Sequence, residues 1–265
     1  MGVVKIAVAQ TASTNDKTVN RERALALLAE AARHEPDLVV LPEAIMADFR
    51  PGGSVGPQAE PLDGDFVTAL QAAAKEHGTA VVAGMFETGD DPDRPYNTLL
   101  AIGADGTLLA SYRKIHLYDA FGYRESEELT AGAVEPVVAR IGDMAIGLMT
   151  CYDLRFPELS RALVDAGADV LVVPAAWVRG PLKERHWETL LAARAIENTC
   201  YVAAAAQNGS KYCGLSQVVD PQGVVIAAAG EDDGVAVAHV EPARIAEVRQ
   251  RNPSLANRRF TVAPR

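Results

Sequence analysis

Cysteine is scarce: Cys151, Cys200 and Cys213 are an odd number among 265 residues, with no CxxC pair. That excludes a disulfide framework and a zinc knuckle as organising devices. The five histidines are scattered, with no HxH or HxxxH pairing, so no metal site is read from them and no metal or cofactor is expected. No apolar run approaches the length of a membrane span. The opening residues Met1-Gly-Val-Val-Lys-Ile6 run straight into a strand-like segment, without a charged leader or a small-residue cleavage site. Ile6 also stands where a myristoylation motif at Gly2 needs Ser or Thr. Positive charge is in deficit, 25 basic against 35 acidic residues for a net charge of −10, which argues against nucleic acid or an anionic membrane as partner. These absences together point to a reduced, cytoplasmic protein.

Apolar residues are plentiful, at 49 % of the chain. With no shift in composition along the sequence, they predict a single α/β domain over residues 1–265. The spacing predicts buried strands at 5–10, 37–43 and 79–86, with helices over 20–33 and from about 65 to His77, the latter stopped by Gly78. Strands at 97–102 and 108–112 flank a hairpin signal at Asp105-Gly106. Residues 48–65 and 117–136 read as long loops, the second without any period and therefore of functional interest. Further strands follow at 145–150, 169–176 and 201–206, with helices at 157–166 and 185–198. A hairpin around Gln222-Gly223 and an irregular arginine-rich tail close the chain. The order β-α-β-α-β-hairpin thus occurs twice, which implies two mixed sheets packed together with helices outside.

In such sheets ligands gather at the carboxyl ends of strands, and Glu43, Lys114 and Cys151 each follow directly on a predicted strand. Cys151 ends the run Ala145-Ile-Gly-Leu-Met-Thr150 just before a helix opens at Pro157, so it is placed on a sharp strand-to-helix turn suited to a nucleophile. A free cysteine is more often a small buried hydrophobe. A thiol near its ordinary pKa is only a few per cent thiolate at neutral pH, so a catalytic one needs a base or a cation beside it. Glu43 is the candidate base, Lys114 the candidate donor to a developing oxyanion, and the backbone N–H of Tyr152 a second donor. Singly, Glu43 reads more readily as an exposed strand-end carboxylate and Lys114 as a solvated lysine. His116 lacks an Asn or Asp that clearly orients it and reads as a packed or surface histidine.

Leu41-Pro-Glu43, Tyr112-Arg-Lys-Ile-His-Leu117 and Thr150-Cys-Tyr-Asp-Leu-Arg-Phe-Pro-Glu158 resemble the three signature blocks of the nitrilase (carbon–nitrogen hydrolase) superfamily. Pro174-Ala-Ala-Trp177 and Arg194-Ala-Ile-Glu-Asn198 match as well, so the resemblance covers essentially the whole chain. It implies a four-layer αββα sandwich of two mixed β-sheets with outer helices. It also implies a homodimer or higher homo-oligomer formed through the Cys-bearing helical face, with the C-terminal tail, about 250–265, reaching a partner subunit. Glu43 is then the general base, Lys114 the oxyanion stabiliser and Cys151 the nucleophile. Glu125 falls where family members carry a second glutamate, with Glu127 and Glu128 close by as alternatives.

The block around Cys151 is similar to that of the Nit-type amidases, the ω-amidase and deaminated glutathione amidase branch, which implies hydrolysis of a small linear carboxamide to acid and ammonia through a cysteine thioester. Arg155 matches an arginine that related carbamoyl-amino-acid hydrolases place on the substrate carboxylate, and Trp177 joins it as a substrate-binding residue. A bidentate clamp on a carboxylate suits a guanidinium, whereas a structural salt bridge to Glu158 or Asp153 is the plainer use. Residues 180–185, Gly-Pro-Leu-Lys-Glu-Arg, depart from the corresponding pocket loop of the ω-amidases. N-carbamoyl amino-acid hydrolysis and nitrile hydrolysis are the neighbouring chemistries, and a non-catalytic Nit-like binding or scaffold protein is the reading from another class.

Overall fold

Each half of the chain lays three parallel strands side by side, because each pair of apolar runs is joined by a helix rather than by a tight turn. The computed structural model describes residues 2–49 and 55–264. In the first half, β1 (Val4–Gln10), α1 (Lys17–Ala32), β2 (Leu38–Val40), α2 (Asp65–His77) and β3 (Ala80–Glu87) form two parallel crossovers. The strands β4 (Tyr96–Ile102) and β5 (Leu108–Arg113) return antiparallel, and β6 (Asp119–Ala120) with β7 (Tyr123–Arg124) makes a separate hairpin. In the second half, β8 (Val138–Ile141) precedes β9 (Met144–Leu148), α3 (Pro157–Asp165), β10 (Val170–Ala175), α4 (Lys183–Asn198) and β11 (Tyr201–Ala206). A final pair, β12 (Gln217–Val219) and β13 (Val225–Ala228), turns back antiparallel. The chain then crosses to the first sheet as β14 (Gly234–Val240), antiparallel to β1, and ends in α5 (Pro242–Arg251).

The two sheets have the orders β14-β1-β2-β3-β4-β5 and β13-β12-β11-β10-β9-β8. Side-chain alternation along the first sheet sorts its residues into two cores. Ile6, Val8, Val40 and Val82 pack toward the second sheet, with Val172 and Ala204 in the same cluster. Ala7, Ala9, Val39 and Val81 pack against Leu28 of α1 and Leu70 of α2. The expected αββα layering follows, and burial on both faces explains why these strands read as unbroken apolar runs.

Several expectations need correction. The strand expected at 37–43, interrupted by Pro42 as it leaves the sheet, is shorter than its apolar run and pairs only over Leu38–Val40. The strand β8 was not foreseen, because only four residues of it pair and they read as a continuation of the preceding loop. The supposed irregular tail contains β14, whose alternation of small alanines with valines reads as uniformly apolar, and α5, which buries only Ile245 and Val248 among its arginines. The region 117–136 holds the β6–β7 hairpin and a 3-10 turn at Glu125–Glu127. Of the loop at 48–65, residues 50–54 lie outside the described residues, as does Arg265 of the tail. Beyond α5 the chain is mostly exposed, with Phe260 90 % accessible and Arg258 paired to Asp165 at 2.6 Å. Among the described residues no helix is long and apolar enough to cross a membrane.

Candidate active site

Glu43 lies three residues beyond the end of β2, where the chain leaves the sheet through Leu41-Pro42. It passes so close to β3 that a Cβ on Gly84 would stand 2.6 Å from the Ala44 nitrogen and 2.8 Å from the Glu43 Cα. Glycine is the residue that lets the two backbones meet there. The Glu43 carboxylate is buried and takes three donors: the Asn97 amide (2.7 Å) and the Lys114 ammonium (3.1 Å) on Oε1, and the Ala176 backbone N–H (2.6 Å) on Oε2. The side chain of Gln207 donates to its backbone carbonyl at 2.8 Å. Residues from both sheets therefore fix one carboxylate.

Lys114, directly after β5, is buried between two carboxylates, with Nζ 3.1 Å from Glu43 and 2.9 Å from Glu125. Burial acts to discharge the ammonium, but Glu125 and Glu43 outweigh it and hold its pKa well above the ordinary lysine value. Glu125 also accepts the Tyr118 N–H at 2.5 Å. Its own pKa is raised, by burial first and by Glu43 as well, against the pull of Lys114. Of the three candidate glutamates only Glu125 reaches the cluster: Glu128 accepts from the Tyr123 hydroxyl (3.0 Å), and Glu127 pairs with Arg124 (3.3 Å).

Cys151 opens a 3-10 turn that follows β9, and its φ of +46° puts a non-glycine residue in the left-handed region. Such a conformation persists only where the surroundings enforce it, and Asp153 does so here. Its Oδ2 accepts the Thr150 N–H (2.8 Å) and the Tyr112 hydroxyl (2.7 Å), while Oδ1 lies 2.7 Å from His116 Nδ1. His116 therefore has an orienting aspartate after all, contrary to the sequence reading. Its ring stacks on Phe156 at 3.8 Å and does not line the cavity, so it acts as a strut. Through Asp153, the strand end that carries Lys114 is bolted to the turn that carries Cys151. The thiol itself is pushed well up by burial and further by the Glu43 carboxylate, with Lys114 opposing. Both causes favour the protonated thiol, with the Glu43 carboxylate beside it.

Glu43, Lys114, Glu125 and Cys151 form the polar end of a cavity of about 450 Å³ walled by Tyr118 and Trp177. A carboxylate next to the thiol can take its proton, and an ammonium beside it can meet an oxygen that becomes negative. Tyr152 lines the cavity too, and as the second residue of the 3-10 turn its N–H is among the first-turn donors that helical geometry leaves free. The indole N–H of Trp177 donates to the Lys183 carbonyl at 2.8 Å, and the Arg155 guanidinium lies 4.8 Å above the Trp177 ring. Neither Glu158 nor Asp153 pairs with Arg155; among the described residues it has no carboxylate within salt-bridge distance, and its guanidinium lies within hydrogen-bond reach of His186 Nδ1 at 3.4 Å. Among the described residues no group of His, Cys, Asp and Glu is placed to hold a metal ion.

Sequence reading missed Asn97, the Ala176 N–H and Lys183. Asn97 is set on Glu43 by strand register, facing Phe86 across the β3–β4 ladder, and a single Asn in a strand carries no signal of that kind. Ala176 contributes only backbone. Lys183 opens α4 within residues 180–185, whose unexpected sequence is the one signal that marks it.

A model of the carbon-nitrogen hydrolase family matches residues 5–250. A deaminated glutathione amidase of Escherichia coli is 44 % identical over 256 residues, covering 96 % of this chain and 97 % of that one. Among solved structures, the Caenorhabditis elegans NitFhit protein superposes with a TM-score of 0.91 at 34 % identity, over 99 % of this chain and 67 % of that one. Saccharomyces cerevisiae Nit3, a member of branch 10 of the nitrilase superfamily, does so with a TM-score of 0.86 at 29 % identity, over 97 % of both chains. Fold, family match and near full-length identity agree that this chain belongs to the carbon–nitrogen hydrolase family, within the nitrilase superfamily.

Proposed function

We propose that the protein is an amidase that cleaves a small linear carboxamide carrying a carboxylate, through a thioester on Cys151. The convergence of Cys151, Glu43 and Lys114 at the closed end of one cavity carries this reading. Glu43 takes the thiol proton as sulfur attacks the amide carbon, and Lys114 with the Tyr152 N–H meets the oxygen that becomes negative. As the C–N bond breaks, the proton passes from Glu43 to the leaving nitrogen and ammonia departs. Water then gives its proton to Glu43 and attacks the thioester, which releases the acid and returns the proton to sulfur. Glu125 holds Lys114 in place throughout. The name of the Escherichia coli relative, deaminated glutathione amidase, supports an amide bearing acid groups, and Arg155, without a carboxylate of the protein, is the residue to hold one of them over Trp177.

The exposed tail beyond α5, with Phe260 uncovered, supports assembly into a homodimer or larger oligomer in which the tail lies on a partner subunit. Three free, buried cysteines fit a reducing, cytoplasmic setting. The test of the activity is ammonia release from a panel of small amides led by α-ketoglutaramate, with Cys151→Ala as control. Release that vanishes in the variant is expected; carbon dioxide with ammonia from carbamoyl amino acids alone, or turnover of nitriles alone, would replace the amidase reading.

A further inference from the structure

Two cations, Lys183 and Arg155, line the same cavity as Glu43 and Glu125. Lys183, the first residue of α4, is only 6 % exposed, and its ammonium faces the cavity. It donates to the Tyr118 hydroxyl at 2.7 Å and lies 4.2 Å from the centre of the Phe121 ring, 4.9 Å from that of Tyr118 and 5.7 Å from that of Trp177. Arg155 shares two of these rings, 4.8 Å over Trp177 and 5.7 Å over Phe121, and its Nε is buried without a hydrogen-bond partner. Among the described residues neither cation has a carboxylate within salt-bridge distance. The protein as a whole is acidic, with a net charge of −10, so the missing ion pairs do not come from a shortage of carboxylates.

Aromatic faces and one phenol oxygen compensate a buried ammonium only in part, and like charges side by side make the shortfall worse. Burial, and Arg155 after it, accordingly pull the Lys183 ammonium below the ordinary lysine value. What the pair lacks is an anion, and the geometry above it is shaped to cover one. Phe121 sits at the tip of the β6–β7 hairpin, where it and Gly122 take successive left-handed conformations (φ +55° and +82°), the form of a tight two-residue hairpin turn. The tip carries the Phe121 ring over both cations although 70 % of that residue is exposed to solvent.

We propose that Lys183 is the charge-selecting residue of this enzyme: with Arg155 it holds a carboxylate of the substrate beneath Phe121, and so favours acid amides over neutral ones. The proposal rests on the amidase reading and adds to it a residue and a specificity. The side chain is free to do this, because the bond from Trp177 goes to the Lys183 backbone carbonyl and survives any change of side chain.

The experiment compares wild type, Lys183→Met and Lys183→Arg on glutaric acid monoamide and on pentanamide, its neutral counterpart, by ammonia release. In Lys183→Met the ratio of kcat/KM for acid over neutral amide is expected to fall about 10- to 100-fold, the worth of one hydrogen bond to a charged group. The loss should appear in KM rather than kcat, and Lys183→Arg should restore most of it. Inhibition by glutarate gives a readout without turnover, weakened in the Met variant and recovered in the Arg variant. A ratio within about twofold of wild type in Lys183→Met, with glutarate inhibition retained, would overturn the proposal while leaving the amidase reading intact. No Cys151-dependent ammonia from either amide would overturn both.

Discussion

Replacing Glu43 by Gln separates the proposed base from the hydrogen-bonded anchor that the structure shows. Asn97 and Lys114 donate to Oε1, so the Gln oxygen must stay on that side, and its NH2 is turned toward the Ala176 N–H that donates to Oε2 in the native chain. Donor then faces donor, a loss of about 1–3 kcal/mol in stability. The amide cannot accept the thiol proton, so turnover should fall about 10²–10⁴-fold, or about 3–5 kcal/mol of transition-state stabilisation. The thiol should respond in the opposite sense. Glu43 stands second after burial among the causes that raise its pKa, while Lys114 lowers it; without the carboxylate charge Lys114 remains, held by Glu125, and the thiol becomes more acidic. The assay pairs ammonia release with the rate of Cys151 alkylation by iodoacetamide as pH is raised from about 6 to the highest pH at which the protein stays folded, starting below the ordinary thiol value. The expected result is collapsed turnover together with alkylation that sets in at lower pH than in wild type. A variant within about tenfold of wild-type turnover, or one whose alkylation sets in at higher pH, would refute the reasoning; a misfolded protein would instead lose its protected thiol altogether.

Cys200 offers a stability test, since burial, only partly countered by Arg249 and Arg161, pushes its pKa up to about 12. The folded chain keeps this proton when the unfolded chain has lost it above about pH 8.5, so its contribution is whole below that pH and drains away as pH rises toward 12. Urea unfolding should show Cys200→Ala losing about 2 kcal/mol less than wild type between pH 7 and 10; equal losses would contradict the assignment. Gly84→Ala places a Cβ 2.6 Å from the Ala44 nitrogen and must displace Glu43, with turnover expected to fall about 10²-fold; wild-type kinetics would show that the backbone yields without moving the carboxylate. Sedimentation at micromolar concentration should give a dimer or larger particle, and a lone 28.1 kDa species would contradict the placement of the tail on a partner.

The sequence was most informative where an apolar run stops at a chemically distinctive residue. Glu43, Lys114 and Cys151 each do this, and the doubled β-α-β-α-β-hairpin order placed them on one edge. Pairings that depend on cross-strand register or on chain returning from far away were not legible. Asn97 reaches Glu43, 54 positions away, and Asp153 binds His116 at a separation of 37, so neither partnership leaves a local pattern. The burial of Lys183 depends on the β6–β7 hairpin, two residues per strand, folding over it from a stretch that has no period. The strand β14 was lost for a different reason: it completes the first sheet from the far end of the chain, and its buried positions are small alanines while half-buried valines stand between them, which dilutes its alternation.

The central claim is that acyl transfer passes through Cys151. The most direct measurement is intact-mass analysis after rapid acid quench of the enzyme mixed with a turned-over amide, followed by peptide mapping. The account predicts a transient adduct with the mass of the amide less ammonia, carried on the peptide that contains Cys151, hydrolysed at the rate of turnover and absent in Cys151→Ala. Ammonia release by Cys151→Ala at a rate near that of wild type, with no adduct on either protein, would contradict it.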